Sequence, residues 1–290
     1  MGQREGGRIL RMDLRTMALE ALCVTDPVRK AYAVQSLWAQ LEARDPGLRL
    51  DTAAVIAEPE GLPGRPERPR LVPAVEVPQR SPFTPEGRAA LLHAIAHIEH
   101  EAIGLALDAV WRFPGLPEKF YIDWMRVAAE EAKHYLMLAA HLATLGHAYG
   151  DFLAHDGLWT MTWKTREDFV ARMALVPRTL EARGLDATPL IQDKLRRAGD
   201  LAAVGILDVI LREEVGHVAI GNHWYHWACA REGLDPVPHY RTLVRQYAAP
   251  RLRPPFNRPA RLAAGFSEIE LAWLEEGAPV EAPSAAPGRA

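Results

Sequence analysis

The chain has 290 residues, of which 49% are hydrophobic and 24% are charged. This composition is typical of a globular protein with a sizeable core and excludes a disordered chain. The formal net charge of −3 indicates no overall attraction to nucleic acid or to an anionic membrane. Only two cysteines occur, Cys23 and Cys229, so the sequence predicts neither a disulfide framework nor a thiolate zinc site.

The sequence predicts neither a targeting segment nor a membrane span. Residues 1–10 lack the apolar region of a secretory signal, and the most apolar later run, residues 202–211, is interrupted by Asp208. We therefore expect a cytoplasmic protein without a signal peptide or a membrane span. A reducing compartment also suits the low cysteine content.

Residues 1–80 are expected to form an N-terminal extension. The spacing of apolar residues predicts helical structure from about Asp13 to Ala43. Residues 57–83 are dense in proline, glycine and arginine, and such a stretch cannot continue a helix. We expect this connector to run over the surface of the main domain.

The first two of four predicted long helices follow the connector. Thr84 is a favourable N-cap, Pro85 suits the first helical turn, and apolar residues recur at helical spacing up to Pro114. The second helix is predicted from about Pro117, with Gly146 as a plausible C-cap.

The third helix is predicted within residues 165–184, where Pro177 should kink it or end its first part. A fourth helix is predicted to start at Thr188-Pro189, again a cap followed by a first-turn proline, and to extend past Trp227. Strand signals are almost absent. The predicted fold class is all-α, with an antiparallel four-helix bundle in residues 81–232.

The C-terminal part is predicted to lie outside this bundle. Residues 233–276 are rich in arginine and proline and are expected to form an arm that packs on the bundle. Residues 277–290 are small and proline-rich and are expected to be disordered.

Two of the predicted helices carry the same Glu-Glu-x-x-His pattern, in residues 130–134 and again in residues 213–217. In each copy the second glutamate and the histidine are three residues apart, so they project from one helix face. One such pair alone is more typical of a solvated face. Two pairs, joined by one glutamate from each remaining helix, are typical of a bundle that binds two metal ions.

The remaining two helices offer candidates for those glutamates. The third helix has Glu181, and the first has Glu99 or Glu101. Glu99 precedes Glu131 by nearly the interval at which Glu181 precedes Glu214, which favours Glu99 over Glu101. Carboxylate and imidazole ligands suit iron, manganese or zinc, and four carboxylates neutralise two divalent ions. The predicted metal ligands are Glu99, Glu131, His134, Glu181, Glu214 and His217.

Other polar residues near these ligands are expected to have supporting or unrelated roles. Glu130 and Glu213 are expected beside the ligands or at the helix edge. Asp208 could accept a hydrogen bond from the outer nitrogen of a ligand histidine, or could be solvated or ion-paired. Three residues around Glu99 are expected outside the ligand set or at the surface: His97, His100 and Glu101.

The sequence resembles the DUF455 family of ferritin-like bacterial proteins. The similarity spans about Leu91 to Gly265 and includes the stretches RFPGLP, AHDGLW, MALVPRTLEARGLDATP and EEVGHVAIGNHW. The resemblance implies a ferritin-like four-helix bundle with a dinuclear iron-type carboxylate centre, whose metal ligands would be the same six residues. A more distant similarity, at the level of the fold, links the superfamily to non-haem diiron tRNA hydroxylases.

The expected function is that of an O2-dependent oxidoreductase or hydroxylase of unknown substrate. Its cofactor would be two Fe ions, with Mn or a mixed Fe/Mn pair as alternatives. The expected partners are O2, an electron donor and a small-molecule or modified-nucleoside substrate, and a homodimer is the alternative to a monomer. The alternative functions are iron storage or detoxification, and that of a binding protein in which the metal only holds the bundle together.

RNA is an alternative partner that the sequence does not favour. The C-terminal arm contains a cluster of arginines, but the net charge is −3 and no aromatic stacking platform is interleaved with them. Arginines among prolines more often attach an arm to its own domain. The cluster comprises Arg241, Arg245, Arg251, Arg253, Arg258 and Arg261.

Overall fold

The computed structural model describes residues 12–276, which are mostly helical. The named strands in this range are β1 (Met12–Asp13) and β2 (Leu48–Arg49), which are two residues long and pair in parallel. The predicted all-α class is therefore confirmed. No helix among the described residues is both long and apolar enough to cross a bilayer.

The described part of the N-terminal extension, residues 12–80, contains two α-helices, α1 (Leu14–Cys23) and α2 (Pro27–Glu42). The carboxylate of Asp13 accepts hydrogen bonds from the first amides of α1, and that of Asp26 accepts one from the first turn of α2. Pro27 occupies the first turn of α2, where its missing N–H costs nothing. These two caps divide the predicted helical segment into two pieces.

The next two helices agree with the sequence prediction. Helix α3 (Pro85–Arg112) begins at Thr84, whose hydroxyl accepts a hydrogen bond from the Gly87 amide. Helix α4 (Glu118–Thr144) ends just before Gly146, which adopts a left-handed conformation with φ +77°. Helix α3 packs along α4, while α1 covers α3 and α2 covers α4. The connector contains one 3-10 turn, Ala74–Glu76, and pairs with the loop after α4 through a bridge between Leu71 and Ala154.

The third predicted helix changes helix type along its length, although residues 169–197 are helical throughout. Helix α5 (Gly157–Lys164) is followed by α6 (Phe169–Leu175), a π-helical segment (Val176–Glu181) and α7 (Ala182–Arg197). Pro177 lies at the start of the π-helical segment. The regular α-helix therefore ends just before Pro177, as the sequence predicted for its first part, and the chain continues as a π-helical turn.

The predicted start of the fourth helix at Thr188-Pro189 is wrong. Pro189 lies inside α7, and α8 (Leu201–Glu232) begins instead after Asp200, whose carboxylate accepts from the Ala203 amide. Pro189 cannot donate to the carbonyl of Leu185, one helical turn before it. That carbonyl accepts a hydrogen bond from the side chain of Asn257 at 3.1 Å. A contact from a distant part of the chain therefore keeps this helix intact.

Up to residue 276, three short helices follow α8: α9 (Pro236–Gln246), α10 (Arg258–Ala263) and α11 (Glu268–Glu276). Phe266 and Leu271, from this last part, form an apolar cluster with Leu185 of α7 and Val218 of α8. Helix α8 also contacts α4, α6 and the π-helical segment, so it lies between the two halves of the chain. The tail predicted to be disordered, residues 277–290, lies outside the described residues.

Candidate metal centre

Four of the six predicted ligands converge in the core. They come from three helices: Glu99 from α3, Glu131 and His134 from α4, and Glu214 from α8. One side-chain oxygen or nitrogen from each lies within 4.8 Å of the others, and all four residues are buried. The periodicity of α4 puts Glu131 and His134 on its inner face, one turn apart.

Glu131 occupies the middle of the cluster. Its Oε1 lies 2.9 Å from Nδ1 of His217, and its Oε2 lies 3.4 Å from Nδ1 of His134. The rings of the two histidines are 5.7 Å apart and belong to different helices. Glu131 therefore connects the two Glu-x-x-His pairs into one cluster of potential metal donors.

His217 and Glu181, the other two predicted ligands, lie beside these four residues and come from the other half of the chain. Nδ1 of His217 lies 3.6 Å from Oε1 of Glu214, its partner within the second motif. Glu181 ends the π-helical segment and is buried. Burial raises the pKa of Glu181 well above its usual value, and the negative charges of Glu131 and Glu214 raise it further.

The first glutamate of each motif supports the histidine of the other motif. Nε2 of His134 donates to Glu213 at 2.8 Å, and Nε2 of His217 donates to Glu130 at 2.7 Å. Because an outer carboxylate holds Nε2 of each ring, Nδ1 points at the inner carboxylates, to which it donates when no metal is bound. Such an outer carboxylate is the usual support of a histidine that binds a metal.

Basic side chains reach the outer carboxylates from the solvent side. Nζ of Lys133 lies 2.7 Å from Oε1 of Glu213, and Nε of Arg126 lies 3.7 Å from Oε1 of Glu130. These charges keep Glu213 and Glu130 ionised: hydrogen bonds to Lys133 and His134 lower the pKa of Glu213 against the effect of its partial burial. An ionised acceptor holds the Nε2 proton more strongly than a neutral one.

The inner groups carry strongly altered pKa values. Burial raises the pKa of Glu99 to about 7, and the charge of Glu131 adds to this effect. Burial alone would lower the pKa of His134, but hydrogen bonds to Glu131 and Glu99 outweigh it and raise the pKa to about 11. Without a metal, therefore, the cluster retains protons that a pair of cations would displace.

The residues fit a group that carries positive charge. Among the described residues, Oε2 of Glu181 and Oε2 of Glu214 are buried and have no hydrogen-bond partner. Leaving buried carboxylate oxygens unpaired is costly unless a ligand satisfies them. Four carboxylates and two imidazoles whose Nδ1 atoms face them form a donor set suited to two divalent transition-metal ions.

The structure decides between the alternatives for two sets of neighbouring residues. Asp208 does not contact a ligand histidine: it is exposed to solvent, and its carboxylate accepts from the side chain of Gln192 of α7 at 2.6 Å. The three residues around Glu99 are not at the surface but buried, since the connector covers that face of α3. They form a separate cluster of His97, His100 and Glu101.

Sequence reasoning missed several residues that support these sites. The i, i+4 spacing of Arg126 and Glu130 in the sequence would have indicated the ion pair between these two side chains. The pairing of Lys133 with Glu213 depends on how α4 lies against α8, so no local pattern indicates it. The same holds for Arg65, which pairs with Glu101 from the connector.

The chain belongs to the DUF455 family. Residues 23–272 match the family model described as "Protein of unknown function (DUF455)". A protein from Haemophilus influenzae (strain ATCC 51907 / DSM 11121 / KW20 / Rd), described as an "Uncharacterized protein", is 46% identical over 263 residues. This match covers 88% of the present chain and 91% of the relative. No solved structure matches the chain.

Proposed function

We propose that the six clustered residues bind two iron ions, or a mixed iron and manganese pair, in a ferritin-like four-helix arrangement. The observation that carries this proposal is the pair of unpartnered buried oxygens on Glu181 and Glu214. They lie in a cluster where both histidines present Nδ1 to carboxylates. Burial of four carboxylates is costly without cations that neutralise them.

The proposed activity is that of an O2-dependent oxidoreductase. Bound iron would supply the redox chemistry with O2, as it does in non-haem iron enzymes. The protein would bind each ion through one motif, with Glu131 placed between the two imidazoles. Glu130 and Glu213 would fix the rings and keep the protons on Nε2. The substrate and the electron donor are not indicated by these residues.

Metal analysis of the purified protein tests the proposal. We expect about two Fe or Mn ions per chain, and loss of both ions in Glu131→Ala and in His217→Ala. Glu118→Ala, at an exposed position at the start of α4, is the matched control and should keep both ions. Stoichiometric zinc that neither substitution removes would overturn the proposal.

A second measurement separates the proposed oxidoreductase from its alternatives. The ferrous protein should react with O2 within a single turnover, seen as a change in stopped-flow absorbance. An iron-storage protein would form a large shell visible by size-exclusion chromatography, and a purely structural metal would leave the absorbance unchanged. Either outcome would replace the proposed activity.

RNA is not a favoured partner, because the arm uses its arginines internally. The buried guanidinium of Arg261 pairs with Asp186 at 2.6 Å, and Arg258 pairs with Glu275 and Glu268. Arg241 stacks on the ring of Trp273. A gel shift with bulk tRNA at low salt would show binding if the remaining arginines are sufficient.

A further inference from the structure

The π-helical segment Val176–Glu181 ends at Glu181, one of the six proposed metal ligands. A π turn is a rare conformation, and Pro177 in this segment has no N–H with which to stabilise it. Oε2 of Glu181 is buried and has no hydrogen-bond partner among the described residues, so no neighbouring side chain there holds this oxygen in place. The position of the carboxylate therefore depends on what holds the backbone of the segment.

A hydroxyl group from the C-terminal arm, residues 233–276, holds this turn. The hydroxyl of Thr179 donates to the carbonyl of Ala174 at 2.8 Å, five residues earlier, which is the interval of the hydrogen bonds in a π turn. The single proton of this hydroxyl is then used, so the hydroxyl of Tyr240 is the donor in the 2.8 Å contact between the two side chains. Tyr240 belongs to α9 and is only 5% exposed. The arm thereby fixes the side chain that spans the wide turn.

The residue before Thr179 is also held by the arm. The guanidinium of Arg178 pairs with Glu270 of α11 and lies 4.6 Å from the centre of the Tyr240 ring. The ring of Trp273, also from α11, packs edge-on against Tyr240 with the ring centres 5.8 Å apart. Two consecutive residues of the π-helical segment are thus attached to two helices of the arm, and these two helices contact each other.

The chain beyond Glu181 is attached to the arm as well. Arg261 of α10 donates to the carbonyl of Ala182 at 3.3 Å and to the carboxylate of Asp186 at 2.6 Å. Glu181 therefore lies between two points of attachment to the arm. The other five proposed ligands come from α3, α4 and α8. A shift of the π turn would consequently change the position of Glu181 relative to all of them.

We propose that Tyr240 is a positioning residue for the metal centre. Through Thr179 it holds the π turn in its wide form and so keeps the carboxylate of Glu181 directed at the ions. This inference rests on the proposed function, because it requires ions for Glu181 to bind. Tyr240 acts on these ions through the π-helical segment, so its loss should weaken binding without removing a ligand.

Substitutions of the two hydroxyl groups test the proposal on the full-length protein. Tyr240→Phe keeps the ring that lies against Arg178, and Thr179→Val keeps the shape of the threonine. Anaerobic titration with Fe²⁺ in competition with a chromophoric chelator gives the affinity of the two ions. Both variants should bind one of the two ions about tenfold more weakly, which is the lower end of the effect of losing a supporting contact. Thr179→Ser, which retains the hydroxyl, should bind both ions as tightly as the wild type.

Tyr247→Phe is the matched control from the same end of the chain. The hydroxyl of Tyr247 donates to Asp168 at 2.9 Å, and Asp168 caps the start of α6 rather than the π-helical segment. Both Tyr→Phe variants lose one hydrogen bond between the arm and the bundle, so urea denaturation of the metal-free proteins should show a loss of stability in each. Only Tyr240→Phe should bind an ion more weakly.

The outcomes separate a positioning role from a general loss of stability. Equal weakening of Fe²⁺ binding by Tyr247→Phe and Tyr240→Phe would overturn the inference, and so would wild-type affinity in both Tyr240→Phe and Thr179→Val. In either case the wild type would still bind two ions, and the proposed function would stand. A wild-type protein that binds no Fe²⁺ would instead contradict the proposed function, and this inference with it.

Discussion

Nε2 of His134 on α4 donates a hydrogen bond to Glu213 on α8 at 2.8 Å, across 79 positions of the chain. The counterpart runs in the opposite direction, from His217 of α8 to Glu130 of α4, at 2.7 Å. Each Glu-Glu-x-x-His motif thus supplies the outer carboxylate for the histidine of the other. Neither helix can turn about its axis without releasing both imidazoles.

We expect Glu130→Gln and Glu213→Gln to weaken metal binding without changing the number of ions at saturation. The amide can still accept from Nε2 but lacks the charge that strengthens this hydrogen bond. Loss of such an outer partner usually lowers metal affinity by about 10–100-fold. Competition with a chromophoric chelator measures the affinity, with Glu118→Gln as the exposed control on α4. Unchanged affinity in both variants would show that the outer carboxylates do not support the site.

Glu181→Leu should stabilise the metal-free protein and abolish binding of the full pair of ions. The variant removes a buried carboxyl group whose Oε2 has no partner. Removing such a group should raise the free energy of unfolding by about 1–3 kcal/mol. Urea denaturation of chelator-treated protein gives the stability, and elemental analysis gives the metal content. A less stable metal-free variant would mean that Glu181 makes a favourable contact in the empty cluster.

In the metal-free protein, the buried carboxyl group of Glu99 should lower the free energy of unfolding as the pH rises from about 4.5 to about 7. Burial and the nearby charge of Glu131 raise the pKa of Glu99 from 4.5 to about 7. Below pH 4.5 the group is protonated in both the folded and the unfolded chain. Between the two pKa values only the unfolded chain releases the proton, so rising pH favours unfolding.

Comparison with Glu99→Gln isolates this contribution from the other titrating groups. The contribution of His134 lies in a different range, because its raised pKa keeps its stabilising effect complete below about pH 6.5. The free energy of unfolding of the wild type should therefore fall more steeply than that of Glu99→Gln between pH 4.5 and 7. Parallel curves for the two proteins would contradict the assignment to Glu99.

Gly221→Ala should destabilise the protein and weaken metal binding together. A Cβ on Gly221 of α8 would lie 2.5 Å from Cβ of Pro177, so the π-helical segment that carries Glu181 would have to move. Overpacking of this kind typically costs about 1–3 kcal/mol. Gly205→Ala on the same helix meets no atom within 4 Å and should instead stabilise the protein by up to about 1 kcal/mol. Thermal unfolding and chelator competition measure both effects.

Arg178→Met should destabilise the protein strongly. The buried guanidinium pairs with Glu270 of α11 and donates to Asn222 of α8 at 2.8 Å. Loss of one partner of a buried ion pair costs about 3–5 kcal/mol, because the other charge remains buried. The double variant Arg178→Met, Glu270→Leu should recover part of this loss in urea denaturation. A double variant no more stable than Arg178→Met would argue against the pairing.

Local signals in the sequence predicted those helix ends that depend on adjacent residues. Thr84 caps the start of α3 by accepting from an amide three residues away, and the left-handed Gly146 follows the end of α4. Both helix ends were therefore predicted from the sequence. The continuation of α7 through Pro189 could not be predicted in this way. A proline at position 189 indicates a helix start. Inside the helix its missing N–H leaves the carbonyl of Leu185 free, and Asn257 donates to that carbonyl from a part of the chain that no local pattern connects to it.

The candidate site shows the same division between local and distant contacts. The spacing of Glu131 and His134 within one helix predicted that both would face the core, and both are buried there. The partners of their outer atoms depend on the register between α4 and α8, which the sequence of either helix leaves open. The pairing of Glu213 with His134 was therefore visible only in the assembled structure.

The π-helical segment Val176–Glu181 also determines the rotational phase of the helix that follows it. A turn with i→i+5 hydrogen bonds holds more residues than an α-helical turn. If the same residues formed a regular α-helix, with none removed, Glu181 would be rotated by about 100° relative to α6. The carboxylate would then leave the core although no chemical group had been altered. For this glutamate, the kind of helical turn that precedes it matters as much as its identity.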